Sequence, residues 1–315
     1  MTNEEFIDYV ETHICEYLPP ECQDGELGTR VYLRPNDEKN TGLYLMRPGL
    51  SGSPNVRLEL YAEDCRNGRD LGEVMQEIAD TLSSCGGLVP QPEAIDLDFE
   101  KVRGKLTTKL CDPSDSRDYL KDKPWTPVGE WGLLYRLQLL TDGDLVGSSP
   151  ITYEIMNSWG MDSKTLHRLA VENESTKDPA WMSPIMEVAM HGQTIAGPNL
   201  LERGRPLNPS RNDTYVLSNR SRFNGACVVG WDGILDRVGA VLGRNFFILP
   251  SSIHEVLIIP DFERRSVEAL ELAVRQGNAN PMVVQKDDIL SNRIQYFDRR
   301  RCRLGSPKRL RRRTN

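Results

Sequence analysis

The spacing of apolar and polar positions gives the first outline of the chain. Phe6, Val10, Ile14 and Leu18 recur every four residues, Glu4 and Glu5 lie in the first turn, Asn3 can cap it, and Pro19-Pro20 stops it, so the chain opens on an amphipathic helix. Strands are expected at residues 29–33, 42–46 and 55–61, the last from the alternation of Val56, Leu58 and Leu60. After the Asn67-Gly68 turn, Asp70 and Glu73 form a capping box ahead of Leu71, Val74, Ile78 and Leu82. A helix is expected over 99–110 from Val102, Leu106 and Leu110, and a buried strand over 131–140. Helices follow at 152–159 and from Asp162 onward, the latter with Leu166, Leu169, Ala170 and Asn173 inward, and then a loop over 173–184 that holds Trp181. Past a polar Arg/Pro-rich connection at 197–212, strands are expected at 215–217, 225–229, 246–249 and 253–259, with helices at 231–242 and 263–275, and residues 288–290 and 294–297 close the body.

Short strands interleaved with helices point to an α+β fold in a multi-layer body. The Gly/Pro-bearing connections suggest a subdomain at 1–90, a helix-rich one at 91–200, an α+β one at 213–298 and a disordered basic tail at 299–315. Composition agrees with a globular body: 38% of residues are apolar and 27% charged, and 25 glycines with 20 prolines exclude a coiled coil. No apolar run approaches the ~18 residues needed to cross a bilayer. The acidic start (Glu4, Glu5) has no secretory h-region, and the seven cysteines are scattered without a Cys-x-x-Cys pair. Both features point to a cytoplasmic setting.

Charge changes this picture more than composition does. The formal net charge is −7, yet residues 299–315 hold nine of the 39 bases and none of the 46 acids, which leaves −16 on residues 1–298. An acidic body argues against an extended nucleic-acid platform, because neutralising phosphates needs clustered bases. Nucleic acid is therefore expected to be met, if at all, through the tail bases Arg299, Arg300, Arg301, Arg303, Lys308, Arg309, Arg311, Arg312 and Arg313. That segment has no aromatic residue for base stacking.

Several blocks carry a family likeness. Leu249-Pro250-Ser251-Ser252-Ile253-His254-Glu255-Val256 is the most distinctive. It is accompanied by Asn40-Thr41-Gly42-Leu43, Asn157-Ser158-Trp159-Gly160, Tyr215-Val216-Leu217-Ser218-Asn219, Asn224-Gly225-Ala226 and Tyr296-Phe297-Asp298-Arg299. In this combination and order the chain resembles an uncharacterised family of cytoplasmic proteins found in anaerobic gut Firmicutes. The resemblance spans almost all of the body and departs from the family's usual end at Arg300. It implies a shared architecture and a bacterial cytoplasmic setting, with no established activity, substrate or cofactor to carry over.

Candidate chemistry centres on Ser252, His254 and Glu255. On an extended strand Ser252 and His254 would share a face ~6.6 Å apart and point out in parallel, so a nucleophile–base pair would need a partner from elsewhere. Pro250 and the two serines instead suggest a turn with His254 hydrogen-bonded beneath it. A Cys227–His254 dyad is conceivable if their segments are neighbours. The four histidines fit no zinc spacing, and the acids Asp96, Asp98, Glu100, Asp142 and Asp144 read as surface charge, so no metal is expected. Residues 50–54 lack the Lys-Ser/Thr of a phosphate loop and 192–197 lack its strand–helix context, so no cofactor is expected either. The leading expectation is a non-enzymatic interaction or adaptor protein with a protein partner. The alternatives are a hydrolase-like enzyme using His254 and weak nucleic-acid association through the tail.

Overall fold

A computed structural model describes residues 1–47, 52–84, 89–90, 96–142, 145–191, 198–203, 205–263 and 265–311. The fold is α+β, with antiparallel sheets and interspersed helices. The chain groups into two units, Met1–Lys105 with Leu137–Ser149, and Leu106–Arg136 with Pro150–Asn315. The stretch 91–200, expected as a subdomain, is shared between them.

In the first unit the opening helix spans Asn3–His13. Its cap is Thr2 rather than Asn3: the Thr2 hydroxyl accepts from the Glu5 amide while the Glu5 carboxylate accepts from the Thr2 amide, satisfying two otherwise unpaired donors. Phe6, Val10, Ile14 and Leu18 are all buried, as their period requires. A hairpin of Glu26–Leu33 and Lys39–Met46 is extended by the short strand Asn55–Arg57. The strand expected over 55–61 ends there, and Leu58–Arg66 is helical. Leu58 and Ala62, four apart, are buried while Leu60 is exposed, so the helical period won over the three-residue alternation. Asp70 caps the Leu71–Ser83 helix, which closes the core with Val74, Met75, Ile78, Ala79 and Leu82.

The second unit is built on a six-stranded antiparallel sheet, in the spatial order Ala180–Pro184, Tyr215–Asn219, Val256–Pro260, Phe246–Pro250, Gln295–Asp298, Arg303–Gly305. Every residue of the Phe246–Pro250 strand is buried. Alternation splits the strand: Phe247 and Leu249 join Ile259, Tyr296 and the Val267–Asn278 helix residues Leu270 and Val274 in one cluster. Trp125–Val128 and Trp131–Asp142 form a second hairpin. Its turn glycine, Gly129, has φ +63°, and a side chain there would collide with Gln295 Oε1. The fully buried Gln295 accepts from the Glu130 amide (2.8 Å) and donates to the Val128 carbonyl (3.1 Å), clamping that turn to the sheet.

Four further local expectations are corrected here. Residues 99–110 are a single helical turn, Phe99–Val102, then a 3-10 turn and the strand Leu106–Cys111, where the adjacent Thr107 and Thr108 favour extended backbone. The loop around Trp181 is a strand, Ala180–Pro184, preceded by a helix Ser163–Lys177 that runs further than expected. Gly225–Gly230 is a 3-10 turn rather than a strand, since a short all-buried apolar run has no period to read.

The fourth correction is the tail. Residues 299–311 are ordered, not disordered. Arg303–Gly305 adds an edge strand to the sheet, and Pro307–Leu310 forms a short helix whose Pro307 and Leu310 are buried. Leu310 enters the Phe247–Tyr296 cluster. Two apolar side chains and a free strand edge were enough to fold a segment that its charge alone marks as solvated.

Candidate functional site

The Ser251–Glu255 region sits between two strands, and the strand expected at 253–259 begins only at Val256. The Ser252 hydroxyl accepts from the His254 amide (3.0 Å) and the Ser252 amide donates to the Glu255 carbonyl (3.1 Å), which makes the turn that Pro250 and the serines suggested. The His254 ring is held at both nitrogens. Nδ1 accepts from the Asn224 amide at 3.1 Å, which leaves the proton on Nε2, 3.3 Å from Asp288 Oδ1. Asn224 itself sits in the left-handed region (φ +50°), and the Phe223 ring lies 5.8 Å from the imidazole. The Ser218 hydroxyl donates to the His254 carbonyl (2.7 Å). Glu255 faces away from His254's nitrogens: Arg222 donates to it at 2.6 Å and Ser251 at 3.4 Å. Ser252, His254 and Glu255 thus share a turn but do not converge on an open point.

Cys227 does not meet His254. It is fully buried, its thiol 3.8 Å from Glu174 Oε1, and burial pushes its pKa well above the ordinary thiol value. Glu174 is the polar residue that sequence reasoning missed, having placed Asn173 on the inner face. It is almost buried at the inner stripe of the Ser163–Lys177 helix and accepts from the Thr107 hydroxyl (2.8 Å), the Thr108 amide (2.8 Å) and the Thr108 hydroxyl, which in turn accepts from Trp231 Nε1 at 3.3 Å. Burial raises its carboxyl pKa against the lowering effect of those donors. The available signal was its i+8 and i+4 spacing from Leu166 and Ala170.

The tail bases, in contrast, gather around an open cleft of about 900 Å³ within the second unit. Arg299, Arg300, Arg301, Lys308 and Arg311 line it together with Arg244. Arg303 and Arg309 are exposed outside its lining, while Arg312 and Arg313 lie outside the described residues. Two buried acids form its base. Asp261 accepts from Tyr296 (2.9 Å) and pairs with Arg311 (3.3 Å); Asp298 accepts from the Arg300 and Arg301 amides (3.1 and 3.2 Å) and pairs with the Arg301 guanidinium at 3.5 Å. Burial, with Asp261 alongside, raises the Tyr296 phenol pKa. Lys308 reaches Glu271 (2.9 Å).

Arg299 and Arg300 have no carboxylate partner among the described residues. Arg299 is nonetheless placed: its amide donates to Asn245 Oδ1 (3.0 Å), and its Cγ lies 3.2 Å from where a Cβ on Gly239 would stand. Arg244 stacks on Phe262, 3.9 Å from the ring centroid, with its Nε buried and without an acceptor.

Of the remaining acids, Asp96 pairs with Lys101 (2.5 Å), Asp98 caps the Phe99–Val102 helix and Glu100 pairs with Arg103 (3.1 Å); Asp144 lies outside the described residues. Among the described residues no group of three or more His, Cys, Asp or Glu is arranged to hold a metal ion, and no helix is long and apolar enough to cross a membrane.

No curated protein and no solved structure matches the chain. The match to a family model is extensive, covering residues 3–299, so it takes in the His254 turn and ends at Arg299 of the cleft. The chain belongs to DUF5688, a family of unknown function.

Proposed function

We propose that this chain is a binding protein rather than an enzyme, and that it engages an anionic partner through the arginine-lined cleft of its second unit. The observation that carries this reading is the excess of cations there: six bases line the cleft against four acids, and the two buried acids are already paired, Asp261 with Arg311 and Asp298 with Arg301, while the Tyr296 hydroxyl also donates to Asp261. Arg299 and Arg300 line the cleft with no carboxylate partner among the described residues. The hydrolase alternative draws no support from the turn, because a histidine with Nδ1 accepting an amide and Nε2 facing a carboxylate offers no lone pair to a nucleophile. A free basic arm on nucleic acid is also less favoured, since Leu310 anchors the segment to the core.

The test uses the protein's own acidity. With a pI near 5.3, the chain is expected to pass through a polyanionic matrix such as heparin at pH 7 unless a local patch holds it. The wild type is expected to bind at low salt and elute as salt rises, and R299E/R300E to flow through. Equal behaviour of the two proteins would overturn the reading.

A further inference from the structure

We infer that the ligand of this cleft is a small phosphate ester with free hydroxyls, of sugar-phosphate or mononucleotide size, its phosphate held by Arg299 and Arg300 and its hydroxyls received by Glu263 and Glu268. This rests on the proposed anion-binding reading and narrows it. Three observations decide between a compact ligand and a long polyanion.

The first is size. A volume of about 900 Å³ lies within the range of small-molecule sites, roughly 300–1,000 Å³. The second is the mixed lining. With Asp261 and Asp298 paired, Glu263 and Glu268 are the exposed carboxylates of the lining, Glu268 accepting from the Ser266 hydroxyl at one oxygen (2.9 Å), on the same cleft as two guanidiniums without an acidic partner among the described residues. Guanidinium groups match the geometry of phosphate oxygens, whereas a carboxylate accepts from hydroxyls and repels phosphate. A ligand bearing both groups satisfies both kinds of side chain. A phosphodiester chain would have to run past the carboxylates.

The third is what surrounds the cleft. Residues 1–298 carry −16, so a polyanion longer than the cleft meets repulsion on leaving it. Single-stranded nucleic acids also draw much of their affinity from stacking on open aromatic faces, and the aromatic among the described lining residues, Tyr296, is buried with its hydroxyl donating to Asp261. The cleft further depends on residues past the family match, since Arg300, Arg301, Lys308 and Arg311 lie beyond residue 299. Arg299, Glu263 and Glu268 lie within the match, so the proposed ligand contacts straddle its end.

Isothermal titration of the full chain with ribose 5-phosphate, AMP, inorganic phosphate, ribose and a 20-nucleotide single strand tests the inference. Ribose 5-phosphate or AMP is expected to bind most tightly, inorganic phosphate more weakly, and ribose not measurably; which ester binds better separates the sugar-phosphate from the nucleotide source. R299A/R300A is expected to weaken the phosphate ester by about tenfold or more, the scale of a lost charge-assisted contact. E263Q/E268Q is expected to weaken the ester while leaving inorganic phosphate unchanged. Both pairs are exposed, so the variants fold, and an unchanged urea midpoint confirms it. Tighter binding of the oligonucleotide, or no binding of any ester while heparin retention persists, overturns the inference and leaves the anion-binding reading standing. Loss of heparin retention in the wild type overturns both.

Discussion

The turn around His254 and the cleft around Arg299 hold the two densest groups of reactive or charged side chains that the sequence singled out, and they differ in how completely the protein satisfies them. In the turn, Ser252, His254 and Glu255 each bond to a neighbour from the same fold: the His254 amide, the Asn224 amide with Asp288, and Arg222 with Ser251. In the cleft, the buried acids are matched and two arginines are left over. A polar group that is fully matched inside the fold stabilises that fold and has little left to offer a ligand. A charge left open costs little at the surface and is available.

Substitutions can break this contrast, beginning with its largest expected effect. Asp261→Ala removes the common partner of Tyr296 and Arg311 at the base of the cleft and is expected to destabilise the protein by about 3 kcal/mol, the lower end for breaking a buried charged pair. Urea denaturation measures it; a change below about 1 kcal/mol would show that the base of the cleft is not a structural network. His254→Ala leaves the Asn224 amide without an acceptor and is expected to lose about 1–2 kcal/mol. If R299A/R300A lowered the urea midpoint as much as His254→Ala, the cleft arginines would be structural in the same sense as the turn, and the contrast would collapse.

The smallest expected effect is a pH slope. Burial raises the Glu174 carboxyl pKa in the folded state, so the folded protein holds that proton more tightly than the unfolded chain. Its contribution is complete below the ordinary carboxylate pKa and is lost as pH rises through the folded value. Urea midpoints measured from about pH 4 upward should fall more steeply in the wild type than in Glu174→Gln, which has no proton to lose. Parallel curves would mean that Glu174 titrates as it does in the unfolded chain.

Much of the fold was legible because period and caps are local. The four-residue spacing of Phe6, Val10, Ile14 and Leu18, the Asp70 cap and the strand residues 246–249 all reappear, as does the α+β class. Legibility failed where local signals conflicted or were absent. Val56-x-Leu58-x-Leu60 fits a strand as well as the first turn of a helix, and burial of Leu58 with Ala62 settled it. The 225–230 run is buried throughout and has no face to reveal. In the candidate sites, the sequence supplied the residues but not their partners: nothing near residue 254 names Asn224 or Asp288, 30 positions before it and 34 after it.

The sequence by itself determined the amphipathic elements, the separation of a −16 body from a basic terminal segment, and the family to which residues 3–299 belong. These are properties of composition and short-range spacing. The tertiary structure decided what the charged segment became. Pairing of residues 303–305 with the Gln295–Asp298 strand, and burial of Leu310 beside Phe247, turned an expected solvated tail into the wall of a cleft. Long-range strand pairing and apolar burial outweigh local charge repulsion once both are available, and neither can be read from the charges alone.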